Sequence, residues 1–200
     1  MNKLIVIVGA SGVGKTTLAD ALCKKHEFAI AYEQHTERPF QSLFKQNAKY
    51  SLANQLDYLL YRAEQERELR QSGKPALMDG GLDLDFHGFT RLFHLHHWLT
   101  DEEFNLCRRF YEHTRALLPP PDLIIALNAS EQTISRRLAA RNRINIASSA
   151  DAELLSQFID EWLESIPESK VIKLDVSNEN EKYTRSISVI LDKIKKVFPL

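Results

Sequence analysis

The chain has 200 residues, within the usual size of one domain, and a hydrophobic share of 44% is enough for one continuous core. Twenty-six Lys and Arg against twenty-seven Asp and Glu leave it almost neutral, so nothing in its global charge calls for a long nucleic acid or an anionic membrane as partner. Cys23 and Cys107 are the only cysteines and have no CxxC or Cys/His spacing, which argues against a disulfide framework or zinc knuckle and fits a reducing compartment.

Lys3 to Val8 is a short run rich in β-branched residues, closed by Gly9, and reads as a buried strand at the centre of a parallel sheet. The run leads into glycines and a lysine instead of a cleavage site, and no apolar stretch approaches the ~18 residues of a membrane span. A soluble cytoplasmic protein is the expectation. Thr16 to Lys25 has helical spacing, and Phe28 to Tyr32 reads as a second strand ending at Glu33. Arg38 to Gln71 carries an apolar stripe through Leu52, Leu56, Leu59, Leu60 and Ala63 and holds two helices. Ala76 to Met78 is a third strand, terminated by Asp79, Gly80 and Gly81. Leu82 to Leu118 is helical with a break near Thr100, where Thr100 and Glu103 have the form of a capping box. Pro119, Pro120 and Pro121 stop that helix, Leu123 to Leu127 is a strand, and Ser130 caps a helix running to about Arg141. A helix over Asp151 to Glu164, a strand over Lys170 to Leu174 and a closing amphipathic helix over Glu179 to Val197 complete the chain. This alternation predicts an α/β architecture in a single domain, residues 1–200, with a parallel sheet of about five strands covered by helices on both faces.

Gly9-Ala10-Ser11-Gly12-Val13-Gly14-Lys15-Thr16 matches the Walker A pattern, between a predicted strand and a predicted helix. The glycines let backbone N–H groups of Gly9, Ser11, Gly12, Val13 and Gly14 point at phosphate oxygens, and the following helix adds its positive end, with Thr17 in the first turn. Lys15 would reach the β and γ phosphates of ATP, and Thr16 would give a hydroxyl ligand to Mg2+. Glu33 and Asp79 each follow the last apolar residue of a strand, on the rim where an open parallel sheet binds ligands. Glu33 is the candidate proton acceptor for a hydroxyl under phosphorylation, and Asp79 the candidate partner of Mg2+. Helix capping or simple exposure at a loop start is the plainer account of each acid. Arg137, Arg141 and Arg143 can fold over a triphosphate as a lid spanning about residues 137–149, or form a solvated basic face.

With the P-loop and Glu33, the segments Tyr50-Ser51-Leu52-Ala53-Asn54-Gln55 with Arg62, Asp79 through Asp85 to Phe89, Pro120-Pro121-Asp122-Leu123-Ile124 and Arg137 to Arg143 fall in the order and spacing of a known family. The chain resembles the deoxyribonucleoside kinases over about residues 3 to 145. The resemblance implies the three-layer P-loop kinase fold, a homodimer built through helices of the 82–118 region, and a nucleoside 5′-hydroxyl beside Glu33. It also implies a base read by the Gln55 amide, Asp85 near the base, Phe89 stacking on it, Arg62 in the same pocket, and Arg141 with Arg143 in the lid. Left to composition alone, Gln55 would be an exposed helix residue and Phe89 core. In place of the family's acidic-Arg-Ser motif stands Asp79-Gly80-Gly81, so an arginine beside the phosphoryl group is missing. Phe44 takes the place of a tyrosine for the sugar 3′-hydroxyl, and Ile144-Asn145-Ile146 replaces an acid beyond the lid arginines. His87, His94, His96 and His97 lie among Phe86, Phe89, Phe93, Trp98 and Phe104 and read as packing, not as a metal site. The expectation is Mg2+- and ATP-dependent phosphorylation of the 5′-hydroxyl of a deoxynucleoside. A kinase for a nucleotide monophosphate or another small alcohol, and a weakly active nucleotide-binding regulatory subunit, stay open beside it.

Overall fold

In a computed structural model the chain is described over residues 2–33, 38–139 and 149–197, with the side chains of 149 and 150 left aside. Five strands, β1 (Leu4–Val8), β2 (Ala29–Ala31), β3 (Ala76–Asp79), β4 (Leu123–Asn128) and β5 (Val171–Asp175), form one parallel sheet in the order β2-β3-β1-β4-β5. β1 is the middle strand, and its five residues are all buried, which is why the sequence there is a continuous apolar run and not an alternating one.

Because successive side chains of a strand point to opposite faces, each strand feeds two cores. Ile5, Ile7, Leu77, Ile125 and Ile172 face one side, where α1 (Lys15–Cys23) and α9 (Ile187–Val197) cover them with Leu18, Leu22, Ile190 and Ile194. Leu4, Val6, Val8, Met78 and Ile124 face the other, under Leu69 of α3 (Ser51–Gln71) and Ile159, Trp162 and Leu163 of α8 (Ser149–Glu164). A third cluster lies beyond the sheet. It joins α2 (Pro39–Gln46) and α3 to α4 (Leu82–Leu84), a turn of π-helix over Asp85–Thr90, α5 (Arg91–Leu95) and α6 (Asp101–Leu117) around Leu59, Leu82, Phe86, Phe93, Leu99 and Cys107. α7 (Glu131–Ala139) follows β4. No described helix is long and apolar enough to cross a membrane.

The Thr100–Glu103 capping box is formed, with the Thr100 backbone N–H donating to Glu103 Oε2 at 2.9 Å and the Glu103 N–H to Thr100 Oγ1 at 3.3 Å. The closing helix departs from its predicted start: it begins at Ile187, eight residues later than Glu179. The reason is Tyr183, whose φ of 50° breaks a helix. That conformation sends its ring inward, where its hydroxyl donates to the Gly14 carbonyl at 3.1 Å.

Three of the four histidines singled out in the sequence are packed among aromatic rings and carboxylates, and His97 is exposed. His87 stacks on Trp162 with centroids 5.3 Å apart, His94 stacks on Phe104 at 4.5 Å, and His96 meets Asp151 at 2.7 Å.

Candidate active site

β1, β2 and β3 end on one rim, and each delivers a polar group to it: the Gly9–Thr16 loop, Glu33 and Asp79. Gly9 has a φ of 145°, and a Cβ there would stand 2.5 Å from the Leu127 carbonyl oxygen, so only glycine lets the loop lie against β4. α1 then starts at Lys15 with its N-terminal amides facing the loop's concavity. The Lys15 side chain is folded over its own loop, donating to Gly9 O at 3.1 Å and Ala10 O at 3.4 Å, and its Nζ lies 3.9 Å from Glu33 Oε2. Val13 is buried in the core, so its side chain anchors the loop while its backbone remains with the cradle. Ser11 within the loop and Thr17 in the first turn of α1 are both half-buried.

Thr16 Oγ1 donates to Asp79 Oδ2 at 2.6 Å, and the other oxygen of that fully buried carboxylate has no partner among the described residues. Burial pushes the Asp79 carboxyl above its usual range, against the pull of Lys15 and the Thr16 hydroxyl. A hard divalent cation would reverse that penalty, and a hydroxyl beside an orphaned carboxylate oxygen is the donor set that Mg2+ takes. Arg137 reaches the loop: it donates to the carbonyls of Val13 at 2.5 Å and Val176 at 3.0 Å, stapling the loop to the turn after β5. Arg141 and Arg143, with most of the predicted 137–149 lid, lie outside the described residues.

A second cleft opens beside Glu33, and Glu33, Gln55, Arg62, Asp85 and Phe89 line it together. Gln55 is buried, with Thr90 Oγ1 at 3.0 Å from its Oε1; the same hydroxyl is 3.0 Å from the Asp85 carbonyl. Arg62, also buried, donates from Nε to Asp85 Oδ2 at 2.9 Å and from Nη1 to Gln65 at 3.0 Å. Burial works against its charge, yet Asp85 and Glu33 outweigh that and hold the guanidinium above its ordinary value. A Cβ at Gly80, whose φ is 80°, would stand 3.2 Å from Arg62 Nη2, so the guanidinium occupies the space where a side chain at position 80 would begin.

Phe44 is not among the residues lining this cleft. It packs in the third cluster with centroids 4.8 Å from Phe93 and 5.3 Å from Trp98, because α2 turns that face toward α5 and the residues after it. Asn54, Tyr58 and Phe93 line the cleft as well and were missed. Asn54, Tyr58 and Arg62 are spaced four apart on α3, so the helical period from Arg62 could have found the first two.

Behind the cleft a buried ion network fixes its back wall. Arg115 reaches Asp83 at 2.9 Å and Glu66 at 2.8 Å, and Glu66 also accepts from Arg70 at 2.9 Å.

A cradle for phosphates and a polar, aromatic-floored cleft thus share one carboxylate. The family model described as deoxynucleoside kinase matches residues 5–199. The chain belongs to the deoxynucleoside kinase family. This kinase is 27% identical over 182 residues to deoxyguanosine kinase from Bacillus subtilis (strain 168), spanning 86% of this chain and 85% of that protein. It is 23% identical to deoxyadenosine/deoxycytidine kinase of the same organism, over 98% of this chain and 93% of that one. Its fold matches the solved structure of deoxyadenosine kinase from M. mycoides with bound dCTP at a TM-score of 0.77, with 21% identity over 96% of this chain and 99% of that chain.

Proposed function

We propose that this kinase moves the γ-phosphoryl group of ATP to the 5′-hydroxyl of a deoxynucleoside, releasing the monophosphate and ADP. The observation that carries the reading is the position of Glu33, 3.9 Å from the Lys15 ammonium of the phosphate cradle and in the wall of the second cleft. A hydroxyl held there has a proton acceptor on one side and the cradle on the other. The Glu33 carboxylate takes the hydroxyl proton while the oxygen bonds to the γ-phosphorus. The bond from that phosphorus to the bridging oxygen breaks, and its electron pair leaves with ADP.

Lys15 and the loop amides bear the charge that spreads over the phosphoryl oxygens. Thr16 and Asp79 are the residues that would hold Mg2+, which supplies further neutralisation of those oxygens. On the acceptor side Gln55, Asp85 and Phe89 receive the base, with Arg62 locked to Asp85 at 2.9 Å behind them. Arg141 and Arg143 are assigned to close over the phosphates. Arg137 acts from the loop it staples. The whole chain is read as one catalytic domain in the cytoplasm, working as a homodimer through the helices of residues 82–118, where Leu95, Leu106 and Leu117 are exposed.

One observation favours a nucleoside over a nucleoside monophosphate. A monophosphate would need a free cation in the acceptor pocket, yet Arg38 is bound bidentately by Asp57 at 2.6 and 2.7 Å and Arg62 by Asp85.

The test is turnover of Mg-ATP with a panel of nucleosides, nucleoside monophosphates and small alcohols. Phosphorylation confined to nucleosides is expected. Turnover of monophosphates alone, or ATP binding with no acceptor turned over, would overturn the reading.

A further inference from the structure

Asn54 stands on α3 immediately before Gln55, is fully buried, and lines the cleft that also holds Glu33, Arg62, Asp85 and Phe89. Neither its Nδ2 nor its Oδ1 has a hydrogen-bond partner among the described residues. Buried carboxamides are ordinarily satisfied, and one left with both ends unpaired forfeits its hydration for nothing in return. The neighbours that could have served it are engaged elsewhere. Ser51, one turn back, donates to the Ala48 carbonyl, and Tyr58, one turn on, donates to Gln41 at 3.0 Å. Gln55 is held by Thr90 and Arg62 by Asp85. The other polar side chains of the cleft thus have protein partners, and Asn54 is the exception among the described residues.

From this we infer that Asn54 is a second amide reading the acceptor: its carboxamide hydrogen-bonds the heterocycle of the bound nucleoside and discriminates among bases. A carboxamide offers a donor and an acceptor side by side, which matches a nitrogen heterocycle carrying both on one edge and does not match a sugar hydroxyl alone. Asn54 and Gln55 are 100° apart around the helix, so they address different parts of the bound base and not one shared edge. The inference rests on the nucleoside reading above and deepens it: the base is recognised by two amides, and a base that pairs with only one leaves the other unsatisfied.

The test compares the parent with Asn54→Leu, of similar size and apolar, and Asn54→Ala, using each of the common deoxynucleosides. Two readings are taken: kcat/KM with saturating Mg-ATP, and the shift in Tm caused by each deoxynucleoside without ATP. For Asn54→Leu we expect Tm without ligand at or above the parent's. We expect kcat/KM for the preferred base to fall about 10-fold, the ratio of best to worst base to shrink by a similar factor, and kcat to stay within about 3-fold. The ligand-induced Tm shift should shrink most for the preferred base. An equal effect on every base, or none, would show a buried amide of structural importance only and overturn the inference. If Asn54→Leu does not fold, Asn54→Ala decides by the same ratio. Should the parent turn over no nucleoside, the proposed reaction fails separately. The Tm shifts then decide: a base-dependent loss in the variants supports Asn54, and a base-independent one, or no shift with any nucleoside, refutes it.

Discussion

Three residues decide what the phosphate end can do. Thr16 and Asp79 share one hydrogen bond at 2.6 Å and leave one buried carboxylate oxygen unpaired, an arrangement that costs stability unless a cation completes it. Thr16→Ala and Asp79→Asn should each raise the Mg2+ concentration needed for half-maximal activity by about 10–100-fold, read from Mg2+ titrations at saturating ATP. Gly80 is the third. Its φ of 80° strains any other residue, and a Cβ would press on Arg62 at 3.2 Å. Gly80→Ala should cost about 1–2 kcal/mol of stability. Steady-state kinetics should show a larger loss, more than about 10-fold in kcat/KM, since the guanidinium it displaces lies among Glu33, Asp79 and Asp85. Residues at strand ends were legible in the sequence because a parallel sheet puts them on one rim, and the pocket residues because their spacing carried a resemblance. Asn54 was not. Whether a buried amide is satisfied depends on neighbours from other parts of the chain, which no local pattern reports. Phe44 was misplaced for the same reason, since the face that α2 presents is set by packing against Phe93 and Trp98.

Among the elements, α3 carries four of the eight described residues that line the acceptor cleft and, through Glu66 and Arg70, part of the network behind it. Glu66 is fully buried between two guanidiniums, and its removal takes a carboxylate from both, leaving Arg115 with Asp83 and Arg70 with Asp122 at 3.7 Å. Glu66→Ala should therefore destabilise by about 3–5 kcal/mol in urea unfolding, far beyond the loss of one surface pair. The π-helical turn over Asp85–Thr90 places Asp85 and Phe89 in the cleft while Thr90 turns back to Gln55. The helical pattern of the sequence found this stretch but not its wider turn, because six residues are too short a run to tell the α period from the longer π one. The five strands and the Thr100 cap were legible, being written in contiguous residues. The late start of α9 was not, since the left-handed turn at Tyr183 goes with a contact to Gly14, 169 residues away.

At the scale of the molecule, the sequence specified a layered α/β sheet but not the order β2-β3-β1-β4-β5, which depends on pairings between distant segments. Stability should also report on the interior around His87, which is half-buried between Tyr111 and Trp162 with Arg91 and Arg115 nearby. Burial, with those arginines, lowers its folded pKa from 6.5 to about 4. Between those values the unfolded chain binds a proton that the folded chain refuses. This contribution is therefore intact above pH 6.5 and is lost as pH falls toward 4. His87→Gln should flatten that part of the stability-pH curve by on the order of 2 kcal/mol, measured by urea unfolding across the range.

The account as a whole depends on Glu33 serving the acceptor and not the nucleotide. The direct measurement is Glu33→Gln against the parent, with ATP affinity by calorimetry beside single-turnover phosphorylation of the preferred deoxynucleoside. Unchanged ATP binding with phosphorylation slowed at least ~100-fold is predicted. Phosphorylation at the parent's rate in the variant would contradict it.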